Sequence, residues 1–222
     1  MTLTFRGALA PDEVLLAALD TIPGLVGSAR VAERWADESA LPGMTVGGLT
    51  RHLVSQAETA VEFLGFGGVP PHAVQVDLTG LYARTDWLLA GRDAPENTSI
   101  RDEFNAMAAI GPDACREVLA QTRAALPSLL AGAGPAVYVP WQDCVLATAD
   151  FAVCRALEVV VHADDLAASV DLPALEFPTV VVDPVVATLA VLGARRHGTT
   201  GMLRALARSE RALATDGLSA FG

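Results

Sequence analysis

The chain has 222 residues, a formal net charge of −11 and a sequence pI near 4.7. This acidic balance argues against a surface for nucleic acid or anionic membranes, because both need a basic patch. The length fits one well-packed domain with at most a small appendage, and a composition with 52% hydrophobic but only 5% aromatic residues favours a helical core of Ala, Leu and Val.

The sequence contains no stretch of about 18 uncharged apolar residues, and its N-terminus lacks a basic start followed by an apolar block. We therefore expect a soluble, cytoplasmic protein without a membrane partner. The three cysteines, Cys115, Cys144 and Cys154, are an odd number at no metal-ligand spacing, so disulfides are not expected.

The N-terminal quarter predicts two helices of a bundle. Residues 11–20 and 25–35 are helical pieces interrupted by a Pro-Gly pair, and together they predict the first bundle helix. Thr45 is a predicted N-cap for a second helix over residues 46–64. A Gly- and Pro-rich segment, residues 65–71, ends this helix.

The middle of the chain predicts further helices. Residues 73–89 predict one helix, residues 93–98 a polar connection and residues 100–110 a short helix. A clearer helix is predicted over residues 114–130, where Pro127 marks either a kink or an earlier end. The apolar positions of the first of these helices are Leu78, Leu81, Trp87 and Leu88.

A strand-like segment then precedes the last bundle helix. Residues 136–146 are rich in Val, Tyr and Trp and predict a short hairpin, although Pro140 leaves an edge strand or an irregular loop as alternatives. The helix that comes after Thr148 is predicted to run to about Ser169.

The C-terminal part predicts an extended segment and two helices. Residues 176–182 are predicted to be extended, and Asp183 with Pro184 predicts the start of a helix that runs to Arg196. A last helix is predicted over residues 200–214. Its arginines on one face are Arg204, Arg208 and Arg211.

Ionisable residues form one stripe along the helix predicted over residues 148–169. Arg155, Glu158, His162 and Asp165 are spaced three, four and three apart, which places them on one side of an α-helix. The rest of this segment is apolar, which is typical of a helix buried on most sides. Because a buried ionisable side chain is costly unless it is paired or bound to a metal, the stripe needs an explanation.

A metal site is one explanation of the stripe. Glu158 and His162 lie about 6 Å apart along the helix axis and about 40° apart around it, close enough to chelate one ion. His52, at the edge of the apolar face of the second helix, is the best candidate for a third ligand. Such a His2Glu set suits zinc with one or two open positions, although nickel, iron or cobalt could use the same ligands. Arg155 and Asp165 would then orient the ligands and balance charge.

Simpler interpretations remain open at this point. His52 could be an interfacial histidine, Glu158 with His162 could be a salt bridge, and Arg155 with Glu158 could be an ordinary ion pair one turn apart. His72 and His197 are interpreted as a loop residue and a residue that compensates a helix dipole, and neither is counted as a ligand.

Two motifs carry a resemblance to a known family. With Trp35, the segments LPGMTVGGLTRH (residues 41–52) and RALEVVVHADDL (residues 155–166) resemble the mycothiol-dependent maleylpyruvate isomerase-like family of the DinB-like superfamily. The resemblance covers roughly residues 8–170.

This resemblance implies a fold and a set of cofactors. The fold is mostly α, with a DinB-like four-helix bundle over residues 8–170 and a short C-terminal helical extension over residues 171–222. The family's three metal ligands fall on His52, Glu158 and His162, the ion is usually zinc, and mycothiol is the co-substrate.

The sequence departs from the family pattern at two places. The resemblance implies that members with established isomerase activity carry a larger C-terminal α+β domain. Only roughly 50 residues are expected here after the bundle. Gly48 also stands where relatives often have an acidic residue, so we expect the start of the second helix to be anchored differently.

Three classes of function are compatible with these residues. The first is a metal-dependent enzyme that uses a low-molecular-weight thiol on a small-molecule substrate, as a cis–trans isomerase or an S-transferase, because a metal lowers the pKa of a bound thiol. The second is a non-catalytic bundle that acts as a metal-binding or regulatory protein or as a scaffold that forms a homodimer. The third is a metal-dependent hydrolase that uses water. If the last helix folds back over the site, Arg204 or Arg208 would bind a substrate carboxylate.

Overall fold

The computed structural model describes residues 2–66, 68–85, 93–208, 210 and 220. The fold is mostly helical, as predicted, with a small three-stranded sheet. The helices are α1 (Pro11–Thr21), α2 (Pro23–Val26), α3 (Ala29–Glu33), α4 (Val46–Leu64), α5 (Leu78–Tyr82), α6 (Pro95–Met107), α7 (Gly111–Gly132), α8 (Thr148–Ser169), α9 (Thr179–His197) and α10 (Thr199–Ala207). The strands are β1 (Val74–Gln75), β2 (Ala136–Val139) and β3 (Cys144–Ala147).

Four helices, α1, α4, α7 and α8, form the bundle. Helices α1 and α4 each pack against both α7 and α8, so the four surround one core. Fully buried side chains fill this core, and each contributes about 1.5–3 kcal/mol by leaving water. They include Leu15, Leu49, Leu53, Leu126 and Leu157. Helix α6 packs against the side of α4, and α9 packs against α1 and α8.

The two helices that carry the candidate ligands begin and end where the sequence predicts. Helix α4 begins after Thr45, whose hydroxyl accepts a hydrogen bond from the backbone N–H of Gly48 at 2.9 Å. Helix α8 follows β3 without a loop. None of the helices in the described ranges is both long and apolar enough to cross a membrane.

The predicted hairpin is confirmed. Strands β2 and β3 are antiparallel and are joined by a 3-10 turn that starts at Pro140. Strand β1 pairs with β3 in parallel, so β3 is central and β2 lies at an edge, where a neighbouring proline is tolerated. Asp143 adopts the left-handed conformation, with φ of 46°, just before β3 begins.

The first predicted bundle helix is wrong in its second half. Helix α1 ends at Thr21, and residues 25–35 are divided between α2 and α3. The division occurs because Ser28 caps a new helix, its hydroxyl accepting from the backbone N–H of Val31 at 3.2 Å. The bundle therefore receives only α1 from this part of the chain.

The prediction of one helix over residues 73–89 is also wrong. Val74 and Gln75 pair with β3 instead, and the carboxylate of Asp77 caps a new, short helix, α5. Pairing with a strand about 70 positions away cannot be seen in a local pattern. The predicted apolar positions Trp87 and Leu88 lie outside the described residues.

Helices α6 and α9 begin earlier than predicted. Helix α6 starts at Pro95, inside the predicted polar connection, because Pro at the first position and Glu96 in the first turn both favour a helix start. Helix α9 starts at Thr179, so residues 179–182 are not extended and Pro184 lies inside the helix. Burial of Val181 offsets the hydrogen bond that Pro184 cannot donate.

The remaining helices agree with the prediction more closely. Helix α7 continues through Pro127, with Leu126 and Leu130 buried on either side of it, so the helix does not end there. Helix α10 is described up to Ala207, and Arg211 of the predicted last helix lies outside the described residues.

Asn105 on α6 anchors the start of α4. Its Oδ1 accepts from the backbone N–H of Thr45 at 2.9 Å and from the Thr45 hydroxyl at 3.1 Å, and its Nδ2 donates to the carbonyl of Gly43 at 2.9 Å. A Cβ atom at Gly48 would collide with Asn105 Oδ1. Gly48 therefore leaves room for Asn105, which explains the different anchor expected from the sequence.

We expect the effect of Gly48→Ala on the free energy of unfolding to change sign when Asn105 is replaced by Ala. In the natural chain, the added methyl displaces Asn105 and lowers the free energy of unfolding by about 1–2 kcal/mol, because these hydrogen bonds are lost. In an Asn105→Ala background the collision with the amide is gone and a tight contact with Met44 Cγ at 3.2 Å remains, so a small shift of the Met44 side chain lets the same substitution stabilise α4 by up to about 0.5–1 kcal/mol through helix propensity. Urea unfolding of the four proteins measures both values, and equal effects in the two backgrounds would contradict the anchor.

Candidate metal centre

The three candidate ligands meet between two bundle helices. His52 projects from α4, and Glu158 and His162 project from α8, which packs against α4. One ligand atom from each lies within 4.8 Å of the others. Within the described part of the chain, this is the one cluster of three or more His, Cys, Asp or Glu side chains close enough to share an ion.

Two ring nitrogens in this cluster have no hydrogen-bond partner among the residues that the structure describes. They are His52 Nδ1 and His162 Nε2, and both are buried. His162 Nε2 lies 3.3 Å from Glu158 Oε2, in ionic contact but without the geometry of a hydrogen bond. Buried polar atoms in proteins nearly always have partners, so two such imidazole nitrogens in one cluster with a carboxylate fit a metal site.

The arrangement also fits the size of a metal ion. Donor atoms that bind one zinc ion at about 2.0–2.2 Å stand about 3–4 Å apart. The imidazole rings of His52 and His162 have centroids 4.3 Å apart and an interplanar angle of 69°. The candidate donor atoms, which all lie within 4.8 Å of one another, are therefore near the spacing that a shared ion needs.

Asp165 contacts the cluster directly, whereas Arg155 is connected to it through Gln56. Asp165 Oδ2 lies 3.4 Å from His162 Nδ1, the nitrogen on the far side of the ring from Glu158. Arg155 Nη1 donates to Gln56 Oε1 at 2.6 Å, and Gln56 Nε2 donates to the backbone carbonyl of His52 at 3.0 Å. The Arg155–Gln56 pair thus connects α8 to α4 beside the cluster.

The three side chains of the cluster differ in their charge at neutral pH. Burial opposes the charged form of Glu158, but the contact with His162 and the positive charge of Arg155 lower the pKa of Glu158 to about 2. Burial also opposes the charged form of His162, yet Asp165 and Glu158 raise the pKa of His162 to about 9. Burial and the neighbouring His162 charge hold the pKa of His52 well below its usual value. The metal-free cluster therefore contains one carboxylate, one imidazolium and one neutral imidazole at neutral pH.

Three neighbours of the cluster do not follow from sequence patterns. Tyr82 Oη lies 3.3 Å from Glu158 Oε1, Gln56 connects to Arg155, and the Phe104 ring packs edge-on against His52 with centroids 4.2 Å apart. Tyr82 and Phe104 lie on other helices, α5 and α6. A periodic pattern relates residues within one helix only, so no local signal could identify these two.

Other residues considered from the sequence lie elsewhere. Arg204 and Arg208 are exposed on or beside α10, which packs chiefly against α9, and their role in carboxylate binding stays a prediction. His72 is exposed and lies 3.3 Å from Asp143. His197 is the last residue of α9.

A surface groove lies next to the cluster on the far side of Asp165. It has a volume of about 300 Å³ and lies between α8 and α9. Its lining residues are Val160, Val161, Asp164, Asp165, Leu175, Phe177 and Leu189. Another depression of about 310 Å³, near the N-terminus, contains none of the three candidate ligands.

The fold and the cluster define a mostly helical bundle with a His2Glu set suited to one metal ion. The chain matches the family model described as the mycothiol maleylpyruvate isomerase N-terminal domain over residues 15–167, and it belongs to that family. The match covers all three residues of the cluster and confirms the resemblance seen in residues 41–52 and 155–166. No curated protein and no solved structure matched the chain.

Proposed function

We propose that this protein is a metal-dependent enzyme that uses mycothiol, as a maleylpyruvate isomerase-like cis–trans isomerase or as a thiol S-transferase. The observation that carries the proposal is the cluster of His52, Glu158 and His162 with its two unpartnered ring nitrogens. Membership of a mycothiol-associated family supports the choice of thiol.

Zn²⁺ is the ion that we propose for the cluster. Two imidazole nitrogens and one carboxylate oxygen are typical ligands of catalytic zinc, and such a set leaves a coordination position open. The chemistry that the bound ion supplies is a lower pKa for a thiol at that position, which makes thiolate available near neutral pH.

The residues of the chain have separate parts in this proposal. His52 and His162 provide neutral donor nitrogens, and Glu158 provides a negative charge. Asp165 accepts from the Nδ1–H of His162, which fixes the ring orientation and the tautomer. Phe104 covers one edge of the His52 ring and limits access of water from that side.

The thiolate is the nucleophile in both proposed reactions. In an isomerisation, its sulfur forms a bond to one carbon of an activated double bond, the remaining single bond rotates, and loss of the same thiolate restores the double bond. In an S-transfer, the sulfur instead displaces a leaving group, which departs with the bonding electron pair.

Metal analysis tests the first half of the proposal. After loading with Zn²⁺ and dialysis, we expect about one ion per chain in the natural protein and almost none in His52→Ala, because two remaining ligands bind an ion weakly. His72→Ala is the matched control, since the His72 side chain is 68% exposed and pairs with an exposed Asp143 away from the cluster. Equal zinc content in all three proteins would contradict the site.

Mycothiol binding tests the second half. At a mycothiol concentration of 100 times its Kd, we expect the zinc-loaded protein to gain about 3 kcal/mol of stability, measured as a rise in Tm. The His52→Ala protein should show no such rise. A zinc-loaded protein without a mycothiol-dependent shift would instead favour a binding protein or a hydrolase that uses water.

A further inference from the structure

Tyr82 is a buried tyrosine at the inner side of the metal cluster. It is only 3% exposed, and its hydroxyl lies 3.3 Å from Glu158 Oε1 and 3.5 Å from Cys154 Sγ. An ionised carboxylate can only accept hydrogen bonds, so the bond to Glu158 is donated by the phenol. The Tyr82 hydroxyl therefore donates a hydrogen bond to Oε1 of the Glu158 carboxylate.

The helix that carries Tyr82 is held in place from two directions. Asp77 caps α5, and its carboxylate also accepts from the backbone N–H of Leu3 at 3.2 Å. From the other side, Arg195 Nη1 donates to the backbone carbonyl of Thr79 at 3.1 Å. The phenol therefore approaches Glu158 from a fixed position, as a group that orients a ligand must.

The two oxygens of Glu158 have different surroundings. Oε1 accepts from Tyr82, whereas Oε2 lies 3.3 Å from the unpartnered Nε2 of His162. From this geometry we infer that Tyr82 is a positioning residue, which holds Oε1 so that Glu158 offers Oε2 alone to the ion. The inference rests on the proposed metal site and adds to it the group that sets how the carboxylate binds.

Removal of the phenolic hydroxyl is expected to weaken metal binding. In Tyr82→Phe the ring still fills its space, but the carboxylate can rotate about its last bond and present either oxygen or both. Loss of a group that orients a metal ligand typically lowers metal affinity about 10–100-fold. We expect a Zn²⁺ Kd raised by that factor and a changed visible spectrum of the Co²⁺-loaded protein, because cobalt absorption depends on coordination geometry.

Tyr138→Phe is the matched control. Tyr138 also donates to a carboxylate, Asp143 Oδ1 at 2.9 Å, but this pair is exposed. The control should keep the natural Zn²⁺ Kd and the natural Co²⁺ spectrum, and thermal unfolding of all three metal-free proteins reports any general loss of stability.

The result that would overturn the inference is a Tyr82→Phe protein with a lower Tm but the natural Kd and the natural Co²⁺ spectrum. In that case Tyr82 only packs. A natural protein that binds no Zn²⁺ or Co²⁺ at all is a different result, because it removes the metal site itself together with the inference.

Discussion

His162→Ala is expected to destabilise the protein even in the absence of metal. The substitution removes a proposed metal ligand, and it also takes away the imidazolium that contacts the buried Glu158 carboxylate, so that Arg155 is left as the nearby positive charge. Loss of one partner from a buried ion pair typically costs about 3–5 kcal/mol, and we expect a cost at the lower end of that range because Arg155 and the Tyr82 hydroxyl still stabilise the carboxylate. Urea unfolding at pH 7 in the presence of a chelator measures this cost.

A second substitution separates the buried charge from other causes. Glu158→Gln removes the buried charge, so the double variant with His162→Ala should recover most of the lost stability. His72→Ala, at an exposed histidine, should change the free energy of unfolding by less than about 0.5 kcal/mol. A His162→Ala protein as stable as the natural chain would show that the pair does not carry opposite charges.

Metal binding is expected to release about one proton per ion at pH 7. His162 must lose its proton to bind, since its pKa is raised to about 9, whereas Glu158, with a pKa of about 2, is already ionised. His52 is neutral, because its pKa is well below its usual value. Calorimetric titration in two buffers of different ionisation enthalpy gives the number of protons released.

The same pKa values define how affinity and stability depend on pH. Between about pH 7 and pH 9, the apparent metal affinity should rise about tenfold per pH unit, and proton release should vanish above that range. The folded-state pKa of His162 is raised, so its stabilising charge in the metal-free protein is fully present below about pH 6.5 and is lost as the pH rises through 9. Release of two protons, or of none, would contradict this assignment.

The parts of the site that were predictable lie within single helices. The spacing of Glu158 and His162 places them on one face wherever residues 148–169 form a helix, and they do. The position of His52 was predictable because it lies at the edge of the apolar face of α4, from which it can reach a neighbouring helix. The helical period therefore predicts where the three side chains lie, whereas their assignment as metal ligands also needs the family resemblance and stays a prediction.

The parts that were not predictable depend on packing between distant segments. Tyr82 reaches Glu158 only because Val74 and Gln75 pair with β3 and Asp77 then starts a new helix. A local pattern contains no information about a strand partner about 70 positions away. The early start of α9 has the same kind of cause, since the burial of Val181 outweighs the poor helix propensity around Pro184.

The position of the cluster between α4 and α8 has a consequence for folding. His52 and Glu158 are about a hundred positions apart in the chain, and the unfolded chain brings such distant groups together only at a high cost in entropy. An ion shared by the two helices would act as a cross-link that is made only in the folded state. Zinc supply would then set the lifetime of the folded chain, and loss of the ion would shorten that lifetime as well as stop the chemistry.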